Sequence, residues 1–166
     1  MKVMSRWGKN VNLKSPLQEY PRMQLQRGSY TNLNGRWEYQ ITDTNQLPYE
    51  HNWKPINVPF PLGSQLSGSD EILLPGKVLW YKKQFSYKPG EYHTYLNFEA
   101  VDQQCIVYLN GIEVGRHIGG YEPFSFDVSS YIKYQNALLV KCTDPSDTGE
   151  YAYGKQKIQH GGMWYT

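Results

Sequence analysis

Long apolar runs are missing from this sequence. No stretch approaches the roughly 20 residues a membrane-spanning helix needs, and the opening Met1-Lys2-Val3-Met4-Ser5-Arg6-Trp7 lacks the apolar centre of a secretory leader. Cysteine is scarce as well. Cys105 and Cys142 both sit inside apolar alternating runs, where a free thiol behaves as a small hydrophobe. No CxxC or Cys/His ligand spacing occurs, so a zinc site has no support. Thiols without an evident partner and a start without a leader make the cytoplasm the expected compartment. An excess of either charge is lacking too: 17 Lys+Arg against 15 Asp+Glu leave a formal +2. The longest basic cluster is Lys82-Lys83, which a solvated strand face explains, so nucleic acid is not an expected partner. No segment sustains a helical period.

Aromatic residues are abundant: 15 Tyr and 5 Trp in 166 residues. They suit half-buried sheet surfaces and also stack on sugar rings, and most are expected in the core. Residues 1–30 are polar and irregular and read as an extended arm. Strands are predicted at Arg36–Ile41, Lys77–Tyr87, Tyr92–Ala100, Gln104–Leu109, Ile112–Arg116, Pro123–Val128 and Ala137–Thr143. Ile56–Phe60, with Pro59 and Pro61, reads as an edge piece or loop. Asn110-Gly111 between two apolar runs is a strong hairpin signal, because a type I′ turn needs positive φ at both central positions. Phe124, Phe126 and Val128 alternate with Ser125 and Asp127, which predicts one buried face. Ser129–Tyr134 reads as one helical turn. Strands joined by short turns predict an all-β, antiparallel β-sandwich of the jelly-roll kind over residues 31–166.

No constellation supports catalysis. A glycosidase needs two carboxylates flanking the scissile bond, and the acids here are scattered. Glu99 and Asp102 are close in sequence, but one is on a strand and the other in a turn. No GxSxG elbow, P-loop or GxGxxG occurs. His51, His93, His117 and His160 are singletons and read as hydrogen-bonded structural residues.

The stretch from Ala100 to Val128, AVDQQCIVYLNGIEVGRHIGGYEPFSFDV, resembles the signature of the sugar-binding domain of family 2 glycoside hydrolases, the β-galactosidases and β-glucuronidases. Asn110 and Gly111 match its first part. Val114, His117, Gly119, Gly120, Tyr121, Pro123, Phe124, Asp127 and Val128 match its second. Tyr20-Pro21-Arg22 with Leu33-Asn34-Gly35-Arg36-Trp37, Val58-Pro59-Phe60 with Leu66-Ser67-Gly68, Trp80-Tyr81 with Phe85, and Asn136–Val140 with Asp144-Pro145 resemble further family segments in the same order.

The resemblance implies a galactose-binding-like jelly roll without catalytic residues of its own. In this family an acid/base Glu and a nucleophile Glu lie on a separate barrel, and some members need a metal ion there. No cofactor is implied for this domain. The expected parent is a retaining β-glycosidase acting on a β-galactoside first, or a β-glucuronide, with its own barrel, the carbohydrate substrate and further copies of itself as partners. The motif residues read as scaffold: Tyr121 and Phe124 as anchors of the following strand, and His117 as a structural hydrogen-bonding group. The ending Gly162-Met163-Trp164-Tyr165-Thr166 resembles the approach to a closing strand, so a last strand is expected beyond it. Relatives touch the sugar through an Asp just before that segment, and residues 159–166 hold no carboxylate. The candidates for sugar contact are therefore Asp144, Asp147, Lys155, Gln156 and Trp164.

Overall fold

A computed structural model of the chain describes residues 4–21, 24, 26–44, 46–145 and 161–165. Asp147, Lys155 and Gln156 lie outside the described residues. A 3-10 turn spans Gly8–Asn10. Ten strands follow among the described residues: β1 Gly35–Asp43, β2 Lys54–Val58, β3 Lys77–Ser86, β4 Tyr95–Phe98, β5 Ala100–Asp102, β6 Gln104–Leu109, β7 Ile112–Ile118, β8 Phe124–Asp127, β9 Gln135–Thr143 and β10 Gly162–Tyr165.

Six strands form one antiparallel sheet in the order β2-β1-β3-β9-β6-β7. Period-two alternation explains why these segments pair. β6 turns Cys105, Val107 and Leu109 inward, and β9 turns Leu138, Val140 and Cys142 toward the same side. Two short ladders, β4 with β8 and β5 with β10, form the opposing layer. Phe98, Val101, Val128 and Met163 from that layer join Trp37, Tyr81 and Leu109 in one apolar core, as a sandwich requires. The fold is thus an all-β, antiparallel sandwich.

The segment before β1 packs against that strand. The Tyr30 hydroxyl donates to the Gln18 carbonyl at 2.8 Å, and the Asn32 amide to the Leu17 carbonyl at 2.9 Å. Gly35 has φ +109, and a Cβ there would lie 2.9 Å from the Lys14 carbonyl oxygen.

Three sequence readings shift. Tyr92, His93 and Thr94 precede the strand instead of starting it. The Thr94 amide donates to Ser129 Oγ at 2.8 Å, its carbonyl accepts the Val128 N–H at 2.9 Å, and His93 Nδ1 lies 2.6 Å from Asp127 Oδ2, so both residues are held against the end of β8, just outside the strand. Phe98 and Ala100 belong to separate short strands. Gly162–Tyr165, read as a lead-in to a closing strand, is itself a strand paired with Ala100–Asp102.

Candidate functional site

The motif residues fall into two groups. The first is scaffold. Asn110 and Gly111 form the β6–β7 turn with φ +54 and +83. The Asn110 side-chain Nδ2 donates to the Tyr131 carbonyl at 2.9 Å and to Asn136 Oδ1 at 3.0 Å, and its Oδ1 accepts the Ala137 N–H at 3.0 Å. Phe124 stacks on Phe98 with ring centroids 5.0 Å apart and on His117 at 4.1 Å, as an anchor should. The expectation of a hydrogen-bonding role for His117 needs correction: among the described residues its buried Nε2 has no partner, and stacking on Phe124 is the contact that holds the ring. Pro123 is exposed and leads into β8. Asp127 accepts hydrogen bonds from the Ser129 hydroxyl at 2.6 Å and the Ser129 amide at 2.9 Å, and faces His93. These bonds hold its carboxyl down at about 2. Ser129 is bonded to the carboxylate and not to the histidine, so the three residues do not form a nucleophile–base relay.

The second group assembles a corner where the ends of β5, β7 and β9 meet the start of β10. Tyr121 was expected as a core anchor, and the structure corrects this. The bend at Gly119 (φ +123) and Gly120 carries Tyr121 off the sheet, leaving it 79% exposed. Its ring stands edge-on to Trp164, centroids 5.7 Å apart. Trp164 in turn donates its Nε1–H to the Gly120 carbonyl at 2.8 Å. Two carboxylates pack against the glycines of the same corner. A Cβ on Gly120 would collide with Asp102 Oδ1, and one on Gly161 would lie 2.9 Å from Asp144 Cβ and 3.0 Å from Leu73 Cδ2. The two glycines therefore admit the carboxyls to the corner. Burial, and then the neighbouring Asp144, push the Asp102 carboxyl up to about 6.

Of the residues selected for sugar contact, the structure thus brings Asp144 and Trp164 together. Asp102, weighed in the sequence only as a partner of Glu99, proves to be the neighbour of Asp144. Pairing of Gln104 with Thr143 is what joins them, and that register is visible only once β6 and β9 are laid side by side. Glu99 faces a different space, a cleft of about 580 Å³ between the layers, floored by side chains such as Trp37, Leu96 and Phe98. Among the described residues no group of three His, Cys, Asp or Glu side chains could hold a metal ion.

The profile of the family described as "Glycosyl hydrolase 2 galactose-binding domain-like" matches residues 71–163. A putative β-glucuronidase of Formosa agariphila is 34% identical over 125 residues, covering 70% of this chain and 15% of its own length. A β-galactosidase of Thermoanaerobacter pseudethanolicus is 48% identical over 63 residues, 36% of this chain and 8% of that protein. Among solved structures, a calcium-binding mutant of Bacteroides uniformis β-glucuronidase 2 superimposes with a TM-score of 0.62 at 21% identity, over 81% of this chain and 17% of the other. The chain therefore spans a small part of the proteins it matches.

Proposed function

Because this chain belongs to the galactose-binding-like domains of glycosyl hydrolase family 2, we propose that it is the non-catalytic sugar-binding and scaffold domain of a retaining β-glycosidase. The substrate is a β-galactoside or a β-glucuronide, the glycosides after which its relatives are named. The observation that carries the reading is the corner itself. Its aromatic pair, Tyr121 and Trp164, is tied to Gly120, against which Asp102 packs, and Asp144 neighbours Asp102. An aromatic face with adjacent carboxylates suits the apolar face and the hydroxyls of a sugar ring. The corner supplies a rim and not a reaction centre. Glycoside hydrolysis needs a sugar between two opposed carboxyls, whereas here each carboxyl is packed against a glycine. The acid/base and nucleophile then belong to a barrel elsewhere in a longer, cytoplasmic and oligomeric enzyme.

Among the described residues no row of exposed aromatics favours an autonomous binding module. Among the described residues, Tyr95 is the one exposed aromatic on a strand; Trp7, Tyr30, Tyr49, Tyr92, Tyr121, Tyr131 and Tyr134 are in turns and loops.

The test is a pair of measurements on the purified chain. It should release no chromophore from nitrophenyl β-galactoside or β-glucuronide, while galactose or glucuronate at millimolar concentration should shift the Trp164 indole N–H resonance. Turnover that survives a contaminant control and disappears in Asp102→Asn would overturn the reading. Sub-millimolar oligosaccharide binding would replace it with the binding module.

A further inference from the structure

The two cysteines are 37 positions apart in sequence, yet the register of β6 on β9 sets Cys105 directly opposite Cys142. Residues opposite each other on antiparallel strands point to the same face, and both thiols are buried in the core. The hydrogen-bond phase of the ladder can be counted. The Asn110 amide donates to the Ala137 carbonyl at 2.8 Å, one step beyond the Leu109–Leu138 pair. The register runs without a bulge from that pair to Gln104–Thr143. Hydrogen-bonded and non-hydrogen-bonded pairs alternate, so Cys105 and Cys142, five steps on, occupy a non-hydrogen-bonded pair. There the Cα atoms lie about 4.5 Å apart and the side chains approach most closely. A disulfide requires Cα separations of roughly 4.4–6.8 Å. The pair thus sits at the short end of that range, where a bond closes with a small local adjustment and stays readily reducible.

We propose that Cys105 and Cys142 form a thiol–disulfide modification site, closed to a cross-strand disulfide by a low-molecular-weight disulfide such as oxidised glutathione and reopened by its thiol. One cysteine thiolate attacks the reagent, forming a mixed disulfide and releasing one glutathione thiolate. The second cysteine thiolate then attacks the protein sulfur of that mixed disulfide and releases the other. Two electrons pass from the cysteine pair to the reagent, and the two cysteine protons end on two glutathione thiols. Burial controls the timing. It pushes the Cys105 thiol up to about 12 and Cys142 well above its ordinary range, so thiolate is scarce while the sheet is closed. The exchange accordingly belongs to the folding chain, or to states in which β6 and β9 have separated.

The test is refolding from urea in oxidised or in reduced glutathione, followed by intact mass and peptide mapping. With oxidised glutathione the monomer should lose two hydrogens. The tryptic peptides carrying Cys105 and Cys142, separated by cleavage at Arg116 and Lys133, should be recovered joined, and the melting midpoint should exceed that of the reduced protein. Dithiothreitol should restore two alkylatable thiols. Cys105→Ala and Cys142→Ala should each abolish the joined peptide. A second arm holds native protein in sub-denaturing urea with the same reagent, so the idea remains testable if refolding fails. Two alkylatable cysteines after both arms, or only glutathione adducts and linked dimers, would overturn it.

Discussion

The indole Nε1–H of Trp164 reaches the carbonyl oxygen of Gly120 at 2.8 Å across 44 positions of sequence. This bond fastens the shortest ladder of the sandwich to the bend that follows β7. Trp164→Phe keeps an aromatic ring and removes the donor, leaving a buried carbonyl without it. The expected cost is about 1 kcal/mol in urea-induced unfolding. The sugar-dependent shifts in the corner should weaken with it. An unchanged urea midpoint would show that water replaces the indole.

Asp102 sets a pH dependence of definite sign. Its folded value, about 6, stands above the ordinary 3.8. Between those values the folded chain keeps a proton that the unfolded chain has lost. Stability contributed by this group is therefore present below about pH 4 and falls as pH rises to about 6. Asp102→Asn should remove that slope and stabilise the protein at pH 7 by about 1 kcal/mol, the full effect being reduced by the carboxyl's partial exposure. Thermal melts of both proteins from pH 4 to pH 7.5 check it, and parallel curves would refute the assignment.

Gly115 on β7 lies under the Phe126 ring, and a Cβ there would collide with three of its ring atoms. Phe126 cannot swing away freely, because Phe124 packs against it at 5.5 Å. Gly115→Ala should cost about 1–3 kcal/mol through overpacking. Adding Phe126→Leu should recover part of that loss, so the double variant should be less destabilised than the two single changes summed.

Asn110 combines a positive φ with three side-chain hydrogen bonds. Asn110→Gly keeps the backbone conformation and loses the bonds, whereas Asn110→Ala loses both. The glycine variant should be destabilised by about 1–2 kcal/mol and the alanine variant by about 1 kcal/mol more. Equal urea midpoints for the two variants would exclude a backbone contribution.

The sequence made the large sheet legible because its strands are long enough to alternate. In Gln104–Leu109 the apolar Cys105, Val107 and Leu109, and in Gln135–Thr143 the apolar Leu138, Val140 and Cys142, fall at every second position, and the observed burial follows that pattern. The opposing layer was legible only in part. Phe124 and Phe126 marked β8, but Ala100–Asp102 has three residues, and its partner Gly162–Tyr165 lies some 60 positions later behind a glycine pair. A ladder that short has no periodicity to read. Tyr121 was misread for a related reason: an aromatic residue in a motif looks like an anchor, while the bend before it decides which way the ring faces. The corner was half legible. Asp144 and Trp164 could be named from position, but Asp102 entered only through the pairing of β6 with β9. No local spacing reports a neighbour 42 positions away.

β2 closes one end of the six-stranded sheet and β7 the other. On β2, Pro55 opposite Glu38 has no amide hydrogen to offer a docking strand, and Pro59 follows directly after the strand. On β7, Glu113 and Arg116 hold each other through two hydrogen bonds of 2.6 and 3.0 Å, so a strand arriving there meets a charged pair. Both margins thus resist the addition of further strands. The sheet is finite by composition, and neighbouring molecules crowded together in a concentrated solution have no easy way to stitch their sheets into a continuous ribbon.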